Sequence, residues 1–335
     1  MDISLCGFYG YENYGDTLMS QRLKEFFGTS GFEVKIFSDR ESSESLSFKK
    51  DNCLASDIVA IGGGGIVNQN FWFFKNNLHN EIYKQKLILL NVNLTEDSAP
   101  VLSELKDKIS LAVVRDSYSE QIAKRYLSNV IFAPDISFLD KNFGIVKQEK
   151  KNIVSVCLNY YIFKNFFSSN IREKVYAERA IIEIASFLNW LTDRYQYEVR
   201  LIACQSDNEV NDNTVNAVLN GFLKRKAKWI YDKNLLEENI QESRFIISSR
   251  YHSSLFALKS EVPFLDITHH SKNLAFLRDV NLLDCSVDYW FIELNKLINK
   301  YEKHIKNLDL SNISRSYGVS CNESWSHVLN SINSL

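Results

Sequence analysis

Short apolar runs recur along the chain, separated by stretches in which apolar residues return every three or four positions. ISLCGF (3–8), EVKIFS (33–38), DIVAIGGGG (57–65), KLILLNVN (86–93), ISLAVVRD (109–116) and VIFAPD (130–135) read as strands. Between the first two, NYGDTLMSQRLKEFF reads as a turn followed by an amphipathic helix. Strands alternating with helical segments predict parallel βαβ units, and near-continuous apolar runs fit strands covered on both faces. A polar, basic stretch, LDKNFGIVKQEKKN (139–152), interrupts the series as a linker. The pattern then restarts with IVSVCLN (153–159), a long helix around 172–195, EVRLIAC (198–204), AKWIYD (227–232), RFIISS (244–249) and VPFLDI (262–267). The expectation is an α/β protein of two Rossmann-like domains whose parallel sheets face a cleft. The first domain would span 1–140 and the second 141–300. A helical tail over 301–335, containing Trp325, would cross back onto the first. Ligands in such folds bind beyond the carboxyl ends of the strands.

Composition narrows the function. A chain of 335 residues suits two domains, and 45% hydrophobic with 24% charged residues is the balance of a globular protein with ample core. The formal net charge of −2 gives no global field directed at nucleic acid. The locally basic KLINKYEKHIK (296–306) reads as a solvated helix face. Six scattered cysteines show neither C-x-x-C nor metal-ligand spacing, which favours reduced thiols in a cytosolic protein. The amino terminus does not read as a signal peptide. No window approaches the ~18 uninterrupted apolar residues of a membrane span.

The conspicuous polar residues fall at strand carboxyl ends. In GYENYGDTL (10–18), Gly10 and Gly15 flank Asn13 and Asp16, and Asp16 is a natural helix cap or a carboxylate facing a ligand. GGGGIV (62–67) offers a loop without side chains, suited to close approach by a sugar or phosphate, though it lacks the spacing of a dinucleotide or P-loop motif. In VVRDSYS (113–119), Arg115 and Asp116 read as an ion pair and cap, and in FAPDISFL (132–139) Asp135 is either a base or a structural anchor. The sharpest signal is RFIISSRYHSSLFALKSEVPFLDI (244–267). There Arg250 and His252 stand where a buried strand meets a buried helix, an expensive place for two cations unless an anion joins them. Arg250 suits bidentate contact with carboxylate or phosphate, and His252 falls at a helix amino terminus, where the dipole favours an anion. Lys272, after the next strand, is a third candidate cation.

These pieces, in this order, resemble the polysaccharide pyruvyl transferase family over about residues 5 to 283. The matching segments are GYENYGDT, IGGGGIV, VRDSYS, PDISFL, SRYHSSLFALKSEVPFL and HHSKNLAFL. Tyr251 stands where the family usually has Leu, Thr17 where Glu is common, and Glu261 where Gly precedes Val-Pro. The resemblance implies a GT-B-like fold with the acceptor sugar on the first domain and phosphoenolpyruvate on the second. The implied reaction moves the enolpyruvyl group onto a sugar of a polysaccharide or lipid-linked precursor as a cyclic ketal and releases phosphate. Arg250, His252, Lys272 and Ser253 would bind the donor; His252, with Asp16 or Asp135 as base, would carry the chemistry. Asn13, Gly63, Gly64, Asn68 and Arg115 would face the acceptor. No metal is required and no cofactor beyond the donor substrate is implied. The expected setting is cytosolic, with peripheral association at the inner membrane face if the acceptor is lipid-linked. Two rival readings remain. One is a glycosyltransferase using a nucleotide sugar, with Glu237 or Glu238 on the ribose and Trp229 or Tyr231 on the base. The other is a non-catalytic scaffold of a polysaccharide-assembly complex.

Overall fold

The computed structural model describes residues 1–9, 11–39, 46–47, 55–71, 73–74, 85–139, 149–207, 210–268 and 271–335. The predicted linker lies mostly outside these residues, as do Gly10, Trp72, His269 and His270. The chain divides into two compact units, Met1–Phe143 with Tyr317–Leu335, and Gly144–Ser316.

The first unit holds β1 (Asp2–Cys6), β2 (Glu33–Ser38), β3 (Leu46–Ser47), β4 (Ile58–Gly64), β5 (Lys86–Val92), β6 (Ile109–Val114) and β7 (Val130–Phe132). They form a parallel sheet in the order β3-β2-β1-β4-β5-β6-β7. In the second unit β8 (Ile153–Cys157), β9 (Glu198–Ile202), β10 (Lys228–Ile230), β11 (Phe245–Ser248), β12 (Phe264–Thr268) and β13 (Ser286–Asp288) pair in parallel as β10-β9-β8-β11-β12-β13. Both sheets are doubly wound, so the strand order reverses between β1 and β4 in one and between β8 and β11 in the other. A crevice opens beyond the strand ends at such a reversal.

The strand sequences explain the layers. β4, β8, β11 and β12 are buried at every position, as strands sandwiched between helices must be. The helix Ile171–Tyr195 buries Ala177, Ala180, Ile181, Ile184 and Leu188, the spacing of one helical face. Phe71, Phe73 and Phe74, beyond the glycine run, are all buried in the first unit's apolar cluster. The last helix, Ser311–Asn333, contributes Trp325 to that unit. The fully buried indole donates Nε1–H to the Pro134 carbonyl at 2.9 Å and meets Phe26 edge-on at 5.4 Å. Two strands escaped the sequence pattern, β3 with two residues and β13 with the polar sequence Ser-Val-Asp.

Candidate active site

In the first unit the reversal between β1 and β4 gathers the glycine segments. A side chain on Gly7 would meet the Tyr9 ring at 2.5 Å and the Gly62 carbonyl at 2.6 Å, so the two strand ends approach to a distance only glycine permits. Gly63 and Gly64 turn through φ of 78° and 90°, a region costly to other residues. Tyr9 crosses this junction and donates its hydroxyl to the Gly62 carbonyl at 2.8 Å. Burial, reinforced by the nearby Asp16 carboxylate, pushes the Tyr9 phenol well above its usual range, which keeps it a neutral donor.

Asn13, not Asp16, caps the helix Tyr14–Thr29, accepting from the Gly15 N–H at 3.2 Å. The Asn13 Nδ2 then donates to Asp16 at 2.8 Å. Capping therefore falls to the residue three positions earlier, and the half-buried Asp16 carboxylate faces the glycine loop, 3.7 Å from where a Gly64 side chain would begin. Asn13, Asp16, Gly63 and Gly64 thus come together. Asn68, half-buried in the loop beyond, accepts from the Asn70 N–H at 3.0 Å and closes a local turn.

Arg115 and Asp135 are a different matter. They pair with each other at 3.0 Å with 1% and 0% of their side chains exposed. Asp135 also accepts from the Ser137 N–H at 2.9 Å and caps the turn Ile136–Phe138. Neither presents an open face to a sugar, as the acceptor contact expected of Arg115 and the base expected of Asp135 would require. Asp116 caps the helix Ser117–Lys124 and joins Asn93 (2.7 Å) and Ser119 (2.8 Å) in a buried network.

In the second unit the reversal between β8 and β11 leads directly to Arg250. It occupies the cap position of the helix Tyr251–Lys259, yet its side chain does not cap that helix. The guanidinium clasps Asp212 instead, Nε to Oδ2 at 3.1 Å and Nη2 to Oδ1 at 2.5 Å, while Nη1 donates to the Gln205 side-chain Oε1 at 3.1 Å. The anion that the sequence calls for at this junction is supplied from within the chain, by Asp212. The Arg250–Asp212 pair is charge-balanced. His252, in the first turn of the same helix, is half-buried between the rings of Tyr251 (5.1 Å) and Phe256 (6.2 Å).

Ser253 is fully buried with its hydroxyl 3.3 Å from the Cys204 thiol. It packs into the interior beneath the helix. Lys272 is the second residue of the helix Ser271–Asp279, half-buried, following β12. The buried Asp266 in β12 accepts from Ser254 at 2.5 Å and from Asn273 at 2.9 Å, and burial raises its carboxyl to about 7. Trp229 and Tyr231, proposed as a base platform, stack at 5.6 Å, and Tyr231 is exposed.

Sequence reasoning missed Asp212 and Gln205. The signal lay in QSDNEVND after β9, an acidic, amide-rich loop reaching a helix start, and the buried arginine elsewhere required a carboxylate from somewhere.

Two doubly wound sheets, each with polar residues at its strand-order reversal, define a GT-B-like α/β protein. The same architecture recurs in solved structures that share little sequence. S. aureus MnaA, solved with UDP, aligns with a TM-score of 0.62 at 11% identity, over 100% of this chain and 98% of that one. UDP-GlcNAc 2-epimerase from Neisseria meningitidis, bound to UDP-GlcNAc, gives 0.57 at 10% identity over 100% of both chains. An alpha-glucosyltransferase in complex with UDP and DNA gives 0.53 at 11% identity, over 98% and 95%. At such identities these neighbours establish the fold alone. No curated protein matches the chain. The model of the polysaccharide pyruvyl transferase family matches residues 13–271, and the chain belongs to that family of transferases. Among the described residues no helix is long and apolar enough to cross a membrane.

Proposed function

We propose that this protein transfers the enolpyruvyl group of phosphoenolpyruvate to two hydroxyls of one sugar in a polysaccharide or lipid-linked precursor, forming a cyclic ketal and releasing phosphate. The observation that carries the reading is the placement of Arg250 and His252 at a helix amino terminus, on the strand-order reversal of the second unit. That is where a small anion is best received, by backbone N–H groups, a helix dipole and fixed side chains together. Phosphoenolpyruvate combines a carboxylate and a phosphate on three carbons.

Protonation of the donor methylene makes it a methyl group and leaves an oxocarbenium-like centre at C2. One sugar hydroxyl adds there and gives up its proton. Phosphate leaves with the C2–O electron pair, and the second hydroxyl adds at C2 and gives up its proton, closing the ketal, so that the two protons released by the hydroxyls balance those taken up by the methylene and the phosphate. Arg250 holds the donor, His252 stabilises the departing phosphate and supplies its proton, and Lys272 adds charge to the same group. Asp16 is the base for an acceptor held on the first unit, since it keeps the partial exposure that Asp135 lacks. Asn13, Gly63, Gly64 and Asn68 form the acceptor side.

The test is phosphate release from phosphoenolpyruvate over a panel of sugars with neighbouring free hydroxyls. His252→Ala is expected to lower release by about 10²–10⁴-fold without unfolding the protein. Full activity in that variant would remove His252 from the mechanism. A nucleotide-sugar reading is favoured by one observation, the stacked pair of Trp229, on the edge strand β10, and Tyr231, just beyond its end. It predicts nucleotide binding in place of phosphoenolpyruvate binding.

A further inference from the structure

Asp212 is a carboxylate with no exposed surface and five donors. Two come from Arg250. The other three are backbone N–H groups: Tyr160 at 2.9 Å, Cys204 at 3.1 Å and Gln205 at 3.0 Å. Tyr160 follows β8, Cys204 and Gln205 follow β9, and Arg250 follows β11. These strands are neighbours in the order β9-β8-β11, so one buried carboxylate laces three adjacent strand ends at the reversal point. Gln205 completes the frame. Its side-chain Oε1 accepts from Arg250 Nη1 at 3.1 Å, and its Nε2 is fixed by donation to Asp207 at 2.7 Å. Asp207 in turn accepts from the Val210 N–H at 2.7 Å.

We propose that Asp212, assisted by Gln205, is a positioning residue that fixes the plane and orientation of the Arg250 guanidinium for anion recognition. The inference rests on the reading of Arg250 as a donor contact and adds to it what sets its geometry. A guanidinium recognises a carboxylate or phosphate through a planar fork, so its orientation matters as much as its charge. A long side chain at a strand end would otherwise sample several rotamers, and ordering them on binding would weaken affinity. Asp212 removes that freedom before the ligand arrives, at the expense of a negative charge beside an anion site.

That opposition gives the test a sign. If Arg250 acted through charge alone, neutralising Asp212 would tighten anion binding. If Asp212 sets its pose, neutralisation weakens binding although the site becomes more positive. Titration calorimetry with phosphoenolpyruvate is run on the wild type, Asp212→Asn and Gln205→Met, with thermal midpoints recorded in parallel. We expect the Kd to rise at least about tenfold in folded Asp212→Asn and several-fold in Gln205→Met, beyond any change explained by the midpoints. Unchanged or tighter binding in either folded variant overturns the proposal. Should Asp212→Asn fail to fold, Gln205→Met decides alone, because it leaves the carboxylate and its backbone donors in place. The same titrations with UDP separate the two claims. A wild type that binds UDP and not phosphoenolpyruvate refutes the donor reading, and the response of UDP affinity to the two substitutions then judges the positioning role.

Discussion

Asp266 shows how much one buried group weighs. Removal from water raises its carboxyl from 3.8 to about 7, against the opposing hydrogen bonds of Ser254 and Asn273. Between those two values the folded protein keeps a proton that the unfolded chain has released, so stability falls as pH rises through the window. The contribution is fully present below pH 4 and gone above about pH 7, on the order of 1 kcal/mol per pH unit in between. Asp266→Asn preserves the shape and removes the titration. Its thermal midpoint is expected to decline less than that of the wild type between pH 4.5 and 7.5, and parallel curves would place the titration elsewhere. The same scale explains the fate of the charged candidates. Arg250 and Arg115 each found a buried carboxylate partner, Asp212 and Asp135. The sequence displayed both arginines plainly, but pairing across 38 or 20 residues depends on the sheet order, which no local pattern carries.

At the scale of elements, local chemistry was legible wherever a short motif closes on itself. The helix Tyr251–Lys259 ends in a Schellman motif, with the Val262 N–H on the Ala257 carbonyl at 2.8 Å and the Glu261 N–H on the Leu258 carbonyl at 3.1 Å. Glu261 sits at φ 53°, the left-handed conformation that glycine adopts without strain. This is the position where the family usually carries Gly before Val-Pro, so the departure noted in the sequence has a backbone consequence. Glu261→Gly should stabilise the protein by up to about 1 kcal/mol, the relieved strain partly offset by the added freedom of the unfolded chain. Denaturant midpoints measure it, and a loss of stability would show that the glutamate side chain contributes more than its backbone strain costs. The long apolar strands were equally readable because burial on both faces leaves an uninterrupted run. β13 was not, since a short polar edge strand owes its conformation to β12 beside it. The helix cap shifted from Asp16 to Asn13 for a similar reason: both residue types cap well, and only the backbone decides which one begins the helix.

For the whole molecule, the ordered set of strand-end motifs placed the chain in its family, and the repeated β–α rhythm gave the two doubly wound sheets. What the rhythm could not give is the internal neutralisation of Arg250 by a carboxylate 38 residues away, which sets the guanidinium in a frame around Asp212. This frame is proposed to receive phosphoenolpyruvate. The proposed role is tested most directly by thermal unfolding of the purified protein with phosphoenolpyruvate, UDP, GDP and CMP in parallel, since a ligand that binds only the folded state raises the midpoint. At a hundredfold excess over Kd the rise should be about 5–10 °C for a unit of this size. That rise is expected with phosphoenolpyruvate alone. A rise with a nucleotide and none with phosphoenolpyruvate would contradict it and make the protein a nucleotide-sugar enzyme.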